Sequence, residues 1–167
     1  LPRADATIGD SRLQCEQIEL LHDEDDNIRE VLCSGKGLLA HREPDDKDSR
    51  GDAENTAPLR TVLTAQWMRQ LRISPDPDSD LDIIDFSGGA ILRVPDERAS
   101  VSAEFIKVWI DKLKSLKREK GDSTPLPHRM LAQNGVTLDS PQMSGHTETL
   151  QIWFEQAPAE TGLSGPD

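Results

Sequence analysis

Two cysteines, Cys15 and Cys33, and four histidines, His22, His41, His128 and His146, are the side chains best suited to redox, nucleophilic or metal chemistry. The histidines match neither HExxH nor any other metal spacing, and each falls in or beside an expected turn, where a solvated imidazole is the ordinary outcome. Neither cysteine sits in a CxxC motif or at a helix start that would stabilise a thiolate. Ser144-Gly145-His146 has no nucleophile elbow around it. Ser87-Gly88-Gly89 could offer backbone amides to an anion, but it lies between strands rather than ahead of a helix, and reads as a turn.

Two acidic runs resemble the opening of a calcium loop: Asp23-x-Asp25-x-Asn27 and Asp76-x-Asp78-x-Asp80. Both lack glycine at the sixth place, where Ile28 and Leu81 stand, and glutamate at the twelfth, where Ser34 and Ser87 stand. They read as solvated turn acids. Asp82 and Asp85 differ by three, which puts them on opposite faces of a strand, and they read as charges that protect a sheet edge. Arg50-Gly51-Asp52 is an adhesion-type tripeptide too short to carry weight. No catalytic, cofactor or metal site is therefore expected.

The cysteines suggest a staple. Residues 13–21 and 28–33 read as strands joined by the turn-rich run His22 to Asn27. With the turn centred on Glu24, Ile18 faces Glu30, Leu20 faces Ile28, and Cys15 faces Cys33. That geometry makes Cys15 and Cys33 a candidate disulfide. A short third strand is expected at Leu38-Leu39-Ala40.

Two helices are expected to complete the frame. Leu59, Val62, Leu63, Trp67 and Leu71 recur at helical spacing across residues 57–71, with Thr56 as N-cap and Ser74-Pro75 as the stop. Phe105, Trp109, Leu113 and Leu116 form a second stripe across residues 102–120, with a basic end and Gly121 beyond it. Between them, residues 81–86 and 90–94 flank Gly88-Gly89 as a tight hairpin, with Phe86 opposite Ile91. Residues 148–155 alternate as a late strand.

The expected fold is α+β: one small domain, a largely antiparallel sheet of two hairpins plus the late strand, packed with two main helices. Residues 1–12 read as a flexible segment and residues 13–156 as the domain. Residues 42–56 read as a mobile acidic loop and residues 157–167 as a disordered tail.

The chain has 167 residues, a formal net charge of −12 and 4% aromatics. That charge disfavours nucleic acid and anionic membrane surfaces as partners. No run approaches the roughly 18 apolar residues that span a bilayer. The start at Leu1-Pro2-Arg3 and the paired cysteines point to a processed, secreted protein, with a cytoplasmic or nuclear domain as the alternative. The expected role is a small exported interaction protein, effector-like (as virulence effectors are) or a modulator, acting by binding another protein. An intracellular scaffold or regulatory subunit, and a hydrolase with an unrecognised site, are the alternatives. Candidate partner-binding residues are Lys114, Lys117 and Arg118 on the basic helix end, and Trp153. Trp153 lies on the strand face opposite Leu150, Ile152 and Phe154, where burial under the first helix competes with exposure as an anchor.

Overall fold

The computed structural model describes residues 4–8, 10–44, 59–112 and 127–155. Strand occupies 78% of what is described, which replaces the expected α+β fold by an all-β one. Neither expected helix forms. Residues 59–71 instead supply β6 (Leu59–Trp67) and the start of β7 (Gln70–Pro75), and residues 102–111 belong to β9 (Ala99–Asp111). The remaining strands are β1 (Ala4–Ile8), β2 (Ser11–Cys15), β3 (Gln17–His22), β4 (Ile28–Ser34), β5 (Gly37–Pro44), β8 (Leu81–Val94), β10 (Pro127–Asp139) and β11 (Ser144–Trp153). A 3-10 turn, Pro95–Glu97, links β8 to β9. The N-terminal stretch expected to be flexible thus provides β1 and opens β2. Residues 45–56 of the expected acidic loop and residues 157–167 lie outside the described residues. Among those described, no helix is long and apolar enough to cross a membrane.

The connectivity is a meander of long strands, all pairings antiparallel. β2 runs into β3 through Glu16, β4 into β5 through Gly35-Lys36, and β6 into β7 through Met68-Arg69. One half of the sheet runs β1-β2-β5-β6-β8 and the other β3-β4-β7-β8; β8 then pairs with β9, β9 with β10, and β10 with β11. The interruptions fall side by side. Gly35 N donates to Arg69 O (2.8 Å), and Arg69 N donates to Ser87 O (3.1 Å). The β8–β9 register shifts between Ser87 and Ala90, and β10 shifts against both neighbours just after Gln133. Together they form a crease across the sheet, the expected effect of bulges, which bend strands and increase their twist.

The crease gives a helix-free sheet a core. Leu13, Val31, Trp67, Leu71, Phe86, Ile106, Met130 and Val136 come from seven strands on both sides of the crease and join one buried cluster. One flat sheet cannot bury a face without a second layer. Here the two halves of the same sheet converge on a shared interior. Trp67 sits at the corner, 1% exposed, tilted against Phe86 at 5.8 Å between ring centroids, its indole N–H donating to Gly35 O at 3.0 Å.

The expected second hairpin does not exist. Gly88 and Gly89 do adopt positive φ, 87° and 84°, the property that suggested a turn. The chain nevertheless runs on as one strand, because β7 and β6 take its two halves on one side while β9 follows it on the other. Phe86 accordingly faces Ile106 and Leu71 rather than Ile91. Because β8 is an inner strand, Asp82 and Asp85 are not edge charges. Asp82 is buried, and Asp85 lies between Arg72 and Lys107, with Lys107 Nζ 3.8 Å away.

The first hairpin forms in a different register: Ile18 faces Cys33 and Leu20 faces Val31. Its turn decides this. Asp23 Oδ1 accepts the amides of Asp25 (3.0 Å) and Asn27 (2.9 Å), and Asp26 takes φ 64°. The turn therefore centres on Asp25 rather than Glu24, and a bulge between Leu21 and His22 adds a further shift. The same bonds explain why Asp23 behaves as a cap rather than an open calcium ligand; the Asn27 amide, foremost, holds its carboxyl below the usual range. A depressed folded value means that the cap's contribution is complete above the ordinary aspartate pKa and lost as pH falls through the folded value. Amide exchange followed by NMR should show Asp25 and Asn27 losing protection on acidification, and Asp23→Asn, which still accepts, should abolish that dependence. Unchanged acid sensitivity in Asp23→Asn would mean that another group governs the turn.

Candidate interaction edge

Among the described residues the meander leaves three strands with one neighbour each: the short β1 pairs only with β2, β3 only with β4, and β11 only with β10. Such edges present unpaired backbone donors and acceptors to an incoming strand. β3 is six residues long, with Leu20 and Leu21 exposed. β11 is longer, ten residues, and every side chain is exposed except the half-buried Leu150 and Ile152, which pack on the core.

The end of β11 carries the concentration of aromatic surface. Trp109, Arg129 and Trp153 are direct cross-strand partners on β9, β10 and β11 and so share one face. The Arg129 guanidinium stacks on the Trp109 ring at 3.8 Å. Trp153, next in the row, is 64% exposed and Phe154 39%. Burial of Trp153 under a first helix is thereby overturned: the strand face it shares looks outward, and the helix does not exist. Phe154 N donates to His128 O at 3.0 Å, which fixes the hydrogen-bonding phase of the strand. Amides alternate in direction along a strand, so those of Trp153, Gln151 and Thr149 point away from β10 toward the open side.

Lys114, Lys117 and Arg118 lie outside the described residues, as does Arg50-Gly51-Asp52. The histidines prove to be strand residues. His128 Nε2 meets Asp111 Oδ1 at 2.6 Å, and His146 Nδ1 meets Thr137 Oγ1 at 3.0 Å. Ser144-Gly145-His146 opens β11. Among the described residues, no group of three or more His, Cys, Asp or Glu could hold a metal ion.

One constellation escaped the sequence reading. Ser11 and His41 are register partners, and Ser11 Oγ lies 2.9 Å from His41 Nδ1. Glu43 Oε1 is 3.6 Å from Nε2, and that buried nitrogen has no hydrogen-bond partner among the described residues. The separation exceeds hydrogen-bonding length, so the carboxylate does not orient the ring as a hydrolytic triad requires. Only the strand register, invisible without the pairing of β2 with β5, brings these three together.

Cys15 and Cys33 are both buried and both free thiols. Burial, followed by the neighbouring Cys15, pushes the Cys33 thiol above its ordinary value. Buried as they are, neither has the accessibility of a catalytic nucleophile.

No family model, no characterised protein and no solved structure matches this chain. What the edge can do therefore rests on its own geometry.

Proposed function

We infer that the protein is a non-enzymatic binding module that recruits another protein by adding an extended segment to β11. The supporting observation is the open ten-residue edge ending in exposed Trp153 and Phe154. Main-chain hydrogen bonds would supply affinity, and a large, stiff aromatic at the end would supply an anchor at little entropic cost. The net charge of −12 disfavours polyanionic partners for the chain as a whole. Export is part of the same reading, and it rests on the cysteine pair.

A photo-crosslinker placed at Thr149 in the producing organism tests the reading. The expected result is a discrete adduct with an extended segment of one partner protein. Gln151→Pro removes an amide that bonds nothing within the sheet and should abolish the adduct without lowering the unfolding midpoint, while Gln151→Ala retains it. Trp153→Ala should weaken binding by about 2 kcal/mol, roughly thirtyfold in Kd. Adducts from a crosslinker at Glu19 on β3 but none from Thr149 would overturn the assignment to β11.

A further inference from the structure

We propose that Cys15 and Cys33 form a disulfide that staples the two halves of the creased sheet across the bend. Cys15 is the last residue of β2, in the half that contains β5 and β6; Cys33 lies in β4, in the half that contains β3 and β7. Both side chains enter the same buried cluster, Cys15 3% and Cys33 0% exposed.

The pairing between these strands explains how residues from different halves meet. Gln14 faces Leu38, and Gln17 faces Ser34. Three steps on one strand thus answer four on the other, and Gly35, at φ 78°, absorbs the difference where the sheet bends. The Cys15 thiol donates to Gln17 O at 3.2 Å, turned toward the first residue of β3. Burial first, and then the charge of the neighbouring Cys15, raise the Cys33 thiol above its ordinary value. A staple here differs in kind from the ladder disulfide expected from the sequence. It would tie β2 to β4, strands that do not pair, rather than reinforce a hairpin.

The chemistry is thiol–disulfide exchange with a low-molecular-weight disulfide. One cysteine thiolate attacks a sulfur of that disulfide, breaking its S–S bond and releasing one small thiolate. The second cysteine thiolate then attacks the mixed disulfide at the protein sulfur, forming the Cys15–Cys33 bond and releasing the other. Two electrons pass to the small disulfide, and the two cysteine protons end on the released thiols. Buried thiols are poor nucleophiles, so the bond forms while the chain folds and exchanges slowly afterwards.

The test refolds the full reduced chain with oxidised glutathione, then alkylates and measures intact mass. The expected product has lost two hydrogens, takes no alkyl group, and yields a Cys15–Cys33 linked peptide. Cys33→Ala should instead carry a single glutathione on Cys15. Closing a loop of about 18 residues should lower the unfolding equilibrium constant of the oxidised chain roughly a hundredfold relative to the reduced one. Refolded protein with two alkylated thiols, with glutathione on each cysteine, or with links between chains would overturn the proposal.

Discussion

Trp67→Ala is expected to lower the stability of the fold by about 4 kcal/mol, near the top of the range for a large buried aromatic. The indole is 1% exposed and packs at 5.8 Å on Phe86, itself buried. It also covers its cross-strand partner Gly37, where an added Cβ would collide with the ring. Truncation therefore opens a cavity at the corner where β6 turns into β7. It also strands the Gly35 carbonyl, which accepts the indole N–H at 3.0 Å. A buried acceptor left without a donor costs about 1–3 kcal/mol, and the half-buried Gly35 carbonyl falls at the low end, with part of the cost overlapping the cavity loss. Trp67→Phe separates the two contributions, because it keeps most of the packing and loses only the donor. Urea unfolding should give the order wild type, Trp67→Phe, Trp67→Ala in falling midpoint. A loss below about 1 kcal/mol for Trp67→Ala would mean that the corner is not what holds the two halves together.

Trp67 also shows why a creased sheet carries a helical pattern in its sequence. In the expected helix it belonged to the stripe Leu59, Val62, Leu63, Trp67 and Leu71. In the structure Ala65 and Trp67 are buried on β6, and Leu71 and Ile73 on β7. Each pair has the strand period of two. The two residues of the crease, Met68 and Arg69, separate the pairs by four, the spacing of a helical turn. β9 repeats the effect. Val101 and Ala103 are buried, then parity changes at Glu104-Phe105 and Ile106 is buried next, three residues on. A bent strand thus writes a helical period into its sequence.

The β-branched residues Thr61, Val62 and Thr64, and later Val101, Ile106, Val108 and Ile110, carried the opposing signal. The periodicity outweighs it, because a straight strand shows a period of two and only a bent one shows three or four. Where strands are short or uncreased, as in β4, the spans were legible. Register was not, since the turn at Asp23 depends on side-chain hydrogen bonds to the backbone. The open edge was partly legible: clean alternation marked β11 as a strand. Only the pairing order shows that nothing lies on its far side among the described residues.

Gly88→Ala is expected to destabilise by about 3 kcal/mol, and the matched change Gly89→Ala by about 1–2 kcal/mol. Both glycines have nearly the same backbone, φ 87° and 84°, so both pay a similar conformational cost for a Cβ. Their surroundings differ. A Cβ at Gly88 would stand 2.5 Å from Arg69 Cβ and 2.9 Å from Arg69 N, whereas at Gly89 the nearest atom is Met68 Cγ at 3.9 Å, on an exposed side chain. Relief at Gly88 requires Arg69 to move, and Arg69 cannot move freely. Its amide donates to Ser87 O, and its carbonyl accepts from Gly35 N. One methyl group at Gly88 therefore strains the chain of hydrogen bonds that links three composite strands at the crease. The difference between the two variants, read from urea midpoints at equal slope, isolates that close approach from the strain of positive φ. Equal losses would show that the crease tolerates a wider separation at Arg69, and that backbone conformation alone makes glycine necessary there.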